Sequence, residues 1–214
     1  MAYVSAVLVD RLLASLKKAV TARALVAATA CALALSTLAG CAKPYDYTNF
    51  RRHQPRSILV MPPQNESREA GAAWSYQSTV TRPLAERGYY VFPVAVVDRL
   101  MKDNGVSPSK AAEILGADAV LYVTLEEYST KLQVLNAATL LKLRGRLVDV
   151  RSGLVLWERQ FAIQRNSNLG SGGILGDSAD AARNLAGPAN VRFFGDRDQG
   201  LLYGPYHPRY GKDE

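Results

Sequence analysis

The chain is poor in the residues from which reactive centres are built. Of its 214 residues, two are cysteine and two are histidine. That excludes a disulfide framework, and it excludes a metal site made wholly of protein ligands. The signatures HExxH, CxxC, GxSxG and GxxxxGK[ST] are all missing. No apolar run reaches the roughly 20 residues that a spanning helix needs. Nor is the chain short of hydrophobic material: 48% of it is hydrophobic and 21% charged, a globular composition large enough for one domain with its own core.

What is present begins with an address. Ala24 to Leu38 carries no charge and follows Lys17, Lys18 and Arg23. A basic flank, a short apolar run and then small residues form a secretory signal. The run ends in Leu38-Ala39-Gly40-Cys41, which resembles the bacterial lipobox. That resemblance implies diacylglycerol on the Cys41 sulfur, cleavage before Cys41 and further acylation with palmitate-type chains. Residues 1–16 add a second apolar stretch, consistent with a start codon placed upstream or with a long leader. Ala42 stands where an Asp resembles the inner-membrane retention signal, so the outer membrane is expected, with the chain facing the periplasm. Acyl chains contribute about 0.8 kcal/mol per buried methylene and anchor without spanning.

Cleavage changes the charge. Four of the 26 basic and one of the 19 acidic side chains lie in residues 1–40. The formal charge of +7 belongs in good part to the leader, which removes the case for nucleic acid as a partner. Cys31 leaves with the leader and Cys41 carries lipid, so packing alone must stabilise the mature domain.

Four segments are expected: a lipoprotein signal peptide over 1–40, a tether over 41–55, an α/β domain over 56–165 and a Gly/Pro/aromatic-rich extension over 166–214. In the tether, Arg51, Arg52 and His53 are within reach of lipid phosphates, although solvated side chains are the simpler reading. Ser57 to Met61 reads as a buried strand halted by Pro62-Pro63, and Gln64 to Gly71 as a polar loop. Trp74 to Arg87 reads as a helix with Ala73, Gln77, Val80 and Leu84 along one stripe; Pro83 kinks or restarts it and Gly88 ends it. Tyr89 to Pro93 is a strand. Val94 to Asn104 is a helix closed by Gly105, and Ser107-Pro108 starts another that Gly116 stops. Asp118 to Glu126 is a central strand covered on both faces in its first half, and Lys131 to Leu135 a short strand. Leu140–Val150 and Leu154–Gln164 form a hairpin around Arg151-Ser152-Gly153. Leu141, Leu143 and Leu147 share its dry face with Val155, Trp157, Phe161 and Ile163, while Lys142, Arg144 and Arg146 share the wet face. The predicted fold is a single α/β (α+β) domain: a mixed sheet, two to three helices packed on it and a C-terminal antiparallel hairpin.

Few residues suggest chemistry. Gly170-Ser171-Gly172-Gly173 lacks the lysine of a phosphate loop. Glu126 and Glu127 are adjacent on a strand and face opposite sides. His53 lies in the tether, and His207 sits between prolines far from any nucleophile. No catalytic residue, cofactor site or metal site is expected, and the chain reads as a non-enzyme.

Leu115-Gly116-Ala117-Asp118-Ala119-Val120-Leu121, followed by Leu147 to Glu158 (LVDVRSGLVLWE), resembles envelope lipoproteins of the CsgG and TolB-N-terminal kind. From about residue 38 to 210 the chain resembles a Gram-negative lipoprotein family of unknown function. The resemblance is carried by Leu38-Ala39-Gly40-Cys41, Gly88-Tyr89-Tyr90-Val91-Phe92-Pro93, Gly116-Ala117-Asp118 and Leu202-Tyr203-Gly204-Pro205-Tyr206-His207-Pro208. It implies an accessory or binding subunit of a CsgG-like secretion or envelope-assembly system, held on the bilayer through acylated Cys41 and working on other envelope proteins. The rival readings are a lipoprotein regulator of peptidoglycan synthesis and a hydrolase with an unrecognised site. Phe193, Phe194, Tyr203, Tyr206 and Tyr210, interleaved with Gly and Pro, are the expected partner contact, a homodimer included, because rigid aromatics suit interfaces; the alternative is a tail that seals the domain's own core.

Metabolic labelling with a clickable fatty acid will mark the protein, and Cys41→Ala will abolish the label. A labelled alanine variant contradicts the lipobox reading.

Overall fold

The computed structural model describes residues 44–132, 136–168 and 178–212. The leader, Cys41, the glycine run at 170–173 and the end of the expected strand Lys131–Leu135 lie outside them. Tyr45–Glu214 forms one compact unit. In chain order its elements are α1 (Thr48–His53), β1 (Ser57–Val60), β2 (Gln64–Asn65), α2 (Ala72–Glu86), β3 (Tyr90–Val91), α3 (Val94–Asn104), α4 (Pro108–Leu115), β4 (Ala119–Leu132), β5 (Asn136–Asp149), β6 (Val155–Asn168) and α5 (Ser178–Gly195).

The sheet is mixed and runs β3-β1-β4-β5-β6, with β2 also paired to β4. β1 is parallel to β3 and β4, and β4, β5 and β6 are antiparallel neighbours. The fold class is as read from the sequence, with five helices rather than two or three. Pro62 and Pro63 supply no N–H, so β1 stops before them, yet Gln64–Asn65 rejoins the same edge of β4 as β2 where a loop was expected.

Side-chain parity sorts the core into two layers. On one face Ile58, Val60, Ala119, Leu121, Val123, Leu125, Leu141, Leu143, Leu147 and Trp157 lie under α2 and α5. On the other, Leu59, Met61 and Val120 meet Val97 of α3 and Ala111 and Ala112 of α4. The first half of β4 is therefore covered on both sides. α2 buries Gln77, Val80 and Leu84 of the expected stripe and adds Ala72 and Tyr76, with Ala73 at its edge, and so leaves Trp74 facing out. Ser107 caps α4 by accepting the N–H of Lys110, and Gly105 and Gly116 end α3 and α4 in the left-handed region.

The hairpin register agrees with the sequence over most of its length: Leu147 opposes Trp157 and Arg146 opposes Glu158. Nearer the turn it slips. Val148 opposes Val155, so Leu156 is an extra residue on β6. The bulge turns Leu156 inward and leaves Val155 exposed, which corrects its expected place on the dry face, and Val150 does not oppose Leu154. On the wet face Lys142 pairs with Glu127 at 2.8 Å and Arg144 with Glu126. β4 thus pairs two of the three basic side chains, while Arg146 lies over the Tyr122 ring. The irregularity between Leu125 and Glu127 brings both Glu126 and Glu127 to the wet face, which corrects their expected opposite orientation.

Two larger differences concern the ends. The stretch expected as a tether folds onto the domain from Tyr45: Phe50 is buried and Tyr45 and Tyr47 pack against the core. At the other end α5 continues past Pro188 to Gly195 and delivers Phe193 and Phe194 beside Trp157, with ring centroids at 5.3 and 6.0 Å. Gly145 of β5 makes room for them: a Cβ there would stand 2.6 Å from the Phe193 ring.

Trp157→Ala will cost about 3–5 kcal/mol as a core truncation, whereas Glu158→Ala on the wet face will cost at most about 1 kcal/mol. Urea unfolding of the two variants checks this, and equal losses would reverse the assignment of faces.

Candidate interaction surfaces

The first surface is a groove at the β3 edge of the sheet. Gly88, with φ of 83°, ends the α2 segment and turns the chain into β3, and Pro93 then precedes α3. This places the outward face of α2 against the start of α3 with an open groove of about 600 Å³ between them. Trp74, Gln77, Thr81, Phe92, Val94 and Asp98 are among its lining residues. Trp74 is 68% exposed, with Lys102 Nζ 5.7 Å from its ring centre. Among the described residues no strand pairs with the outer side of β3. An exposed indole over an apolar groove beside an unpaired edge suits an extended or helical peptide. Sequence reasoning missed it: Trp74 read as the first residue of a helix, and only its place outside the buried stripe could have flagged it.

The second surface is the C-terminal strap. Gly204 N–H donates to Arg87 O at 2.8 Å and Tyr206 N–H to Gly88 O at 3.1 Å. Tyr89 Oη donates to Leu202 O at 2.5 Å, and the Arg87 guanidinium donates to Leu201 O. Arg87 also lies 4.4 Å from the Tyr203 ring centre, whose other partner is the His207 ring, stacked at 4.0 Å and 11°. Two segments 113 residues apart, each singled out in the sequence, are thus joined backbone to backbone. A Cβ on Gly204 would stand 2.3 Å from Gly88 O, so glycine is required there.

The third is the face made by the N-terminal segment and the β5–β6 turn. Tyr45 Oη accepts the N–H of Glu158 at 2.7 Å, and Asn49 Nδ2 donates to Val155 O at 3.4 Å. Burial raises the Tyr45 hydroxyl above its ordinary value and pushes Tyr47 up to about 12. Asp149 clamps the turn by accepting from Ser152 N and Oγ, each at 2.7 Å. Burial raises its pKa, but those hydrogen bonds and His53 outweigh burial and leave it below the carboxylate range. His53 Nε2 lies 3.4 Å from Ser152 Oγ, yet that hydroxyl already donates to Asp149, so the pair has the form of a turn clamp. Among the described residues no group of His, Cys, Asp and Glu is arranged to hold a metal ion.

The five aromatic residues expected as a partner contact divide. Phe193 and Phe194 are fully buried in the core; their area is already spent on Trp157, which corrects their expected role. Tyr203 is half-buried in the strap. Tyr206, 69% exposed, and Tyr210, whose hydroxyl donates to Gln54 Oε1 at 2.9 Å, remain on the surface.

Beneath the strap, Arg159 points inward from β6. Its guanidinium donates to Phe193 O at 2.6 Å and Arg192 O at 3.1 Å, closing the C-terminal end of α5, and to Asp196 Oδ2 at 3.0 Å. Burial raises the Asp196 pKa, but the N–H groups of Asp198 and Gln199 and the Arg159 charge outweigh it and set it below the ordinary value. A carboxyl depressed in the folded state stabilises above its unfolded pKa, and that contribution is lost as pH falls through the folded one. Asp196→Asn will therefore lower the melting temperature near neutral pH, and the two melting curves will converge as pH drops below the carboxylate range. A gap independent of pH would show that the charge is idle.

Comparison with known proteins adds a lineage to this geometry. The family model described as "Putative lipoprotein GNA1162-like" matches residues 45–206. A Neisseria meningitidis serogroup B protein, "Putative lipoprotein NMB1124/NMB1162", is 42% identical over 152 residues, 67% of this chain and 71% of its own. The crystal structure of lipoprotein GNA1162 from Neisseria meningitidis is similar at a TM-score of 0.50 and 42% identity, over 61% of this chain and 96% of that one. A PelC dodecamer from Paraburkholderia phytofirmans is 19% identical, with a TM-score of 0.43 over 64% of this chain and 88% of its own. The family match runs from Tyr45, the residue that docks on β6, to Tyr206 in the strap, and the chain belongs to the GNA1162-like lipoprotein family.

Proposed function

We propose that this lipoprotein is anchored by acylated Cys41 in the outer membrane, faces the periplasm, and acts without catalysis as a binding subunit of a secretion or envelope-assembly system of the CsgG-like kind. The observation that carries the binding role is Trp74, exposed over an open groove beside an unpaired sheet edge. The lipobox supports the anchor, and the sequence resemblance at Leu115–Leu121 and Leu147–Glu158 supports the kind of system.

Reach separates this reading from a regulator of peptidoglycan synthesis. With the domain beginning at Tyr45, three residues, or four Cα-to-Cα steps, separate it from the acylated cysteine. At about 3.3–3.6 Å per step this spans at most about 14 Å, so the β6 edge that carries Tyr45 is held at the membrane and the groove, on the opposite β3 edge, lies within the width of one domain from it.

A photo-crosslinking amino acid at Trp74, activated in intact cells, will trap one defined envelope protein, and the same group at Ile114 on α4 will not. Crosslinks to glycan strands or to a synthase would favour the regulator, and equal products from both positions would reject the groove.

A further inference from the structure

We infer that the face built from α1 and the β5–β6 turn is a docking surface for anionic phospholipid headgroups, so that the domain lies on the bilayer in one orientation. The inference rests on acylation of Cys41. It begins from chain length: three intervening residues, or four Cα-to-Cα steps, cannot carry Tyr45 more than about 14 Å from Cys41. Tyr45 is fixed on the domain through its hydroxyl and through its ring, 4.6 Å from that of Tyr47. Whatever surrounds Tyr45 is therefore held at the headgroup layer.

What surrounds it carries exposed arginines and an apolar tip. Phe50 is buried and sets the roll of α1, which leaves Arg51 and Arg52 exposed. α1 is held against the start of β6 by Asn49 and against the turn by His53. That turn presents Arg151 with Leu154 and Val155, 43% and 37% exposed. Among the described residues neither Arg51 nor Arg52 forms an ion pair, and Arg151 reaches Asp118 only at 3.9 Å.

The acidic groups of this face are mostly engaged. Asp46 accepts Thr48 N–H, Asp149 holds the turn, and Asp118 accepts Arg56 N–H and both Ser57 donors; Glu158 is exposed. Those hydrogen bonds leave the carboxylates charged, so the case rests on position: Arg51, Arg52 and Arg151 are exposed to a phosphate layer, and two aliphatic side chains stand at the depth where headgroups meet acyl chains. On the open face of β4 and β5 two of the three basic side chains are held in ion pairs. Each basic residue at an anionic surface contributes about fivefold to binding, so the three together favour the docked orientation by at most about a hundredfold, less what the neighbouring carboxylates oppose.

The test uses the full chain, processed in cells and purified as the mature lipoprotein, with Leu154→Cys carrying an environment-sensitive dye. The mass of the mature N-terminus reports acylation. The protein is placed in vesicles of phosphatidylcholine mixed with phosphatidylglycerol, or of phosphatidylcholine alone, each containing a lipid-borne quencher. The dye at 154 will be quenched in the anionic vesicles. Reversing Arg51, Arg52 and Arg151 to Glu will abolish that quenching, and a dye at Ile114→Cys will stay unquenched. A mature chain with no acyl mass overturns the anchor and this inference together. An acylated chain with a water-exposed dye at 154, or with quenching equal in neutral vesicles, overturns the docking surface and leaves the anchor standing.

Discussion

A guanidinium occupies the inner face of β6, between Trp157 and Phe161, where the strand pattern calls for an aliphatic side chain. Burying an arginine is costly unless its donors are taken. Here both terminal nitrogens donate, to the last carbonyls of α5 and to Asp196, while the buried Nε has no partner among the described residues. The ion also lies 5.1 and 5.9 Å from the ring centres of Phe161 and Phe193, where the ring faces attract it. Placement of α5, of its two phenylalanines and of the loop that follows all depends on this contact. The loop returns the favour: Gln199 O accepts from Trp157 Nε1 at 2.8 Å and Gly200 O from Tyr47 Oη at 2.5 Å. Three distant parts of the chain thereby meet at one end of the sheet.

From that junction the chain runs to the opposite edge. The strap after Gly200 crosses to the end of α2, where Gly88 and Gly204 touch through their backbones. The groove with Trp74 opens between α2 and α3, so the packing of the C-terminal segment and the shape of the groove share one helix. The N-terminal segment closes the other end, against β6. The two termini are parts of the domain's framework.

The elements set by local chemistry were legible. Ser107-Pro108 and the glycines at 105 and 116 mark ends that need one side chain or one backbone angle each. The alternation from Ala119 to Leu125 and the pairing of Leu147 with Trp157 follow from a period of two. What escaped was tertiary. A bulge at Leu156 inserts one residue without any composition signal, and it moved Val155 to the surface. Arg159 reads as one more charge on an amphipathic strand until Asp196 and the end of α5 are brought to it. Pro188 argues for a helix end, but packing of Phe193 and Phe194 on Trp157 outweighs that local cost. Ala42 to Pro55 has tether composition, and its three aromatic residues become anchors only once β6 is there to receive them. Of the expected site residues, Tyr206 and Tyr210 kept a surface position for the same reason that Phe193 and Phe194 lost theirs: the strap lies outside the helix, and the helix lies on the core.

β6 is the outermost strand on its side, 14 residues long, and open edges of that length template growth from molecule to molecule. A protein confined to the plane of a membrane meets its neighbours far more often than one free in solution. Tyr45 and Asn49 occupy the outward N–H of Glu158 and the carbonyl of Val155, and the inward charge of Arg159 resists flattening against a foreign strand. The N-terminal segment from Tyr45 thus also covers the start of the edge from which crowded copies would otherwise polymerise.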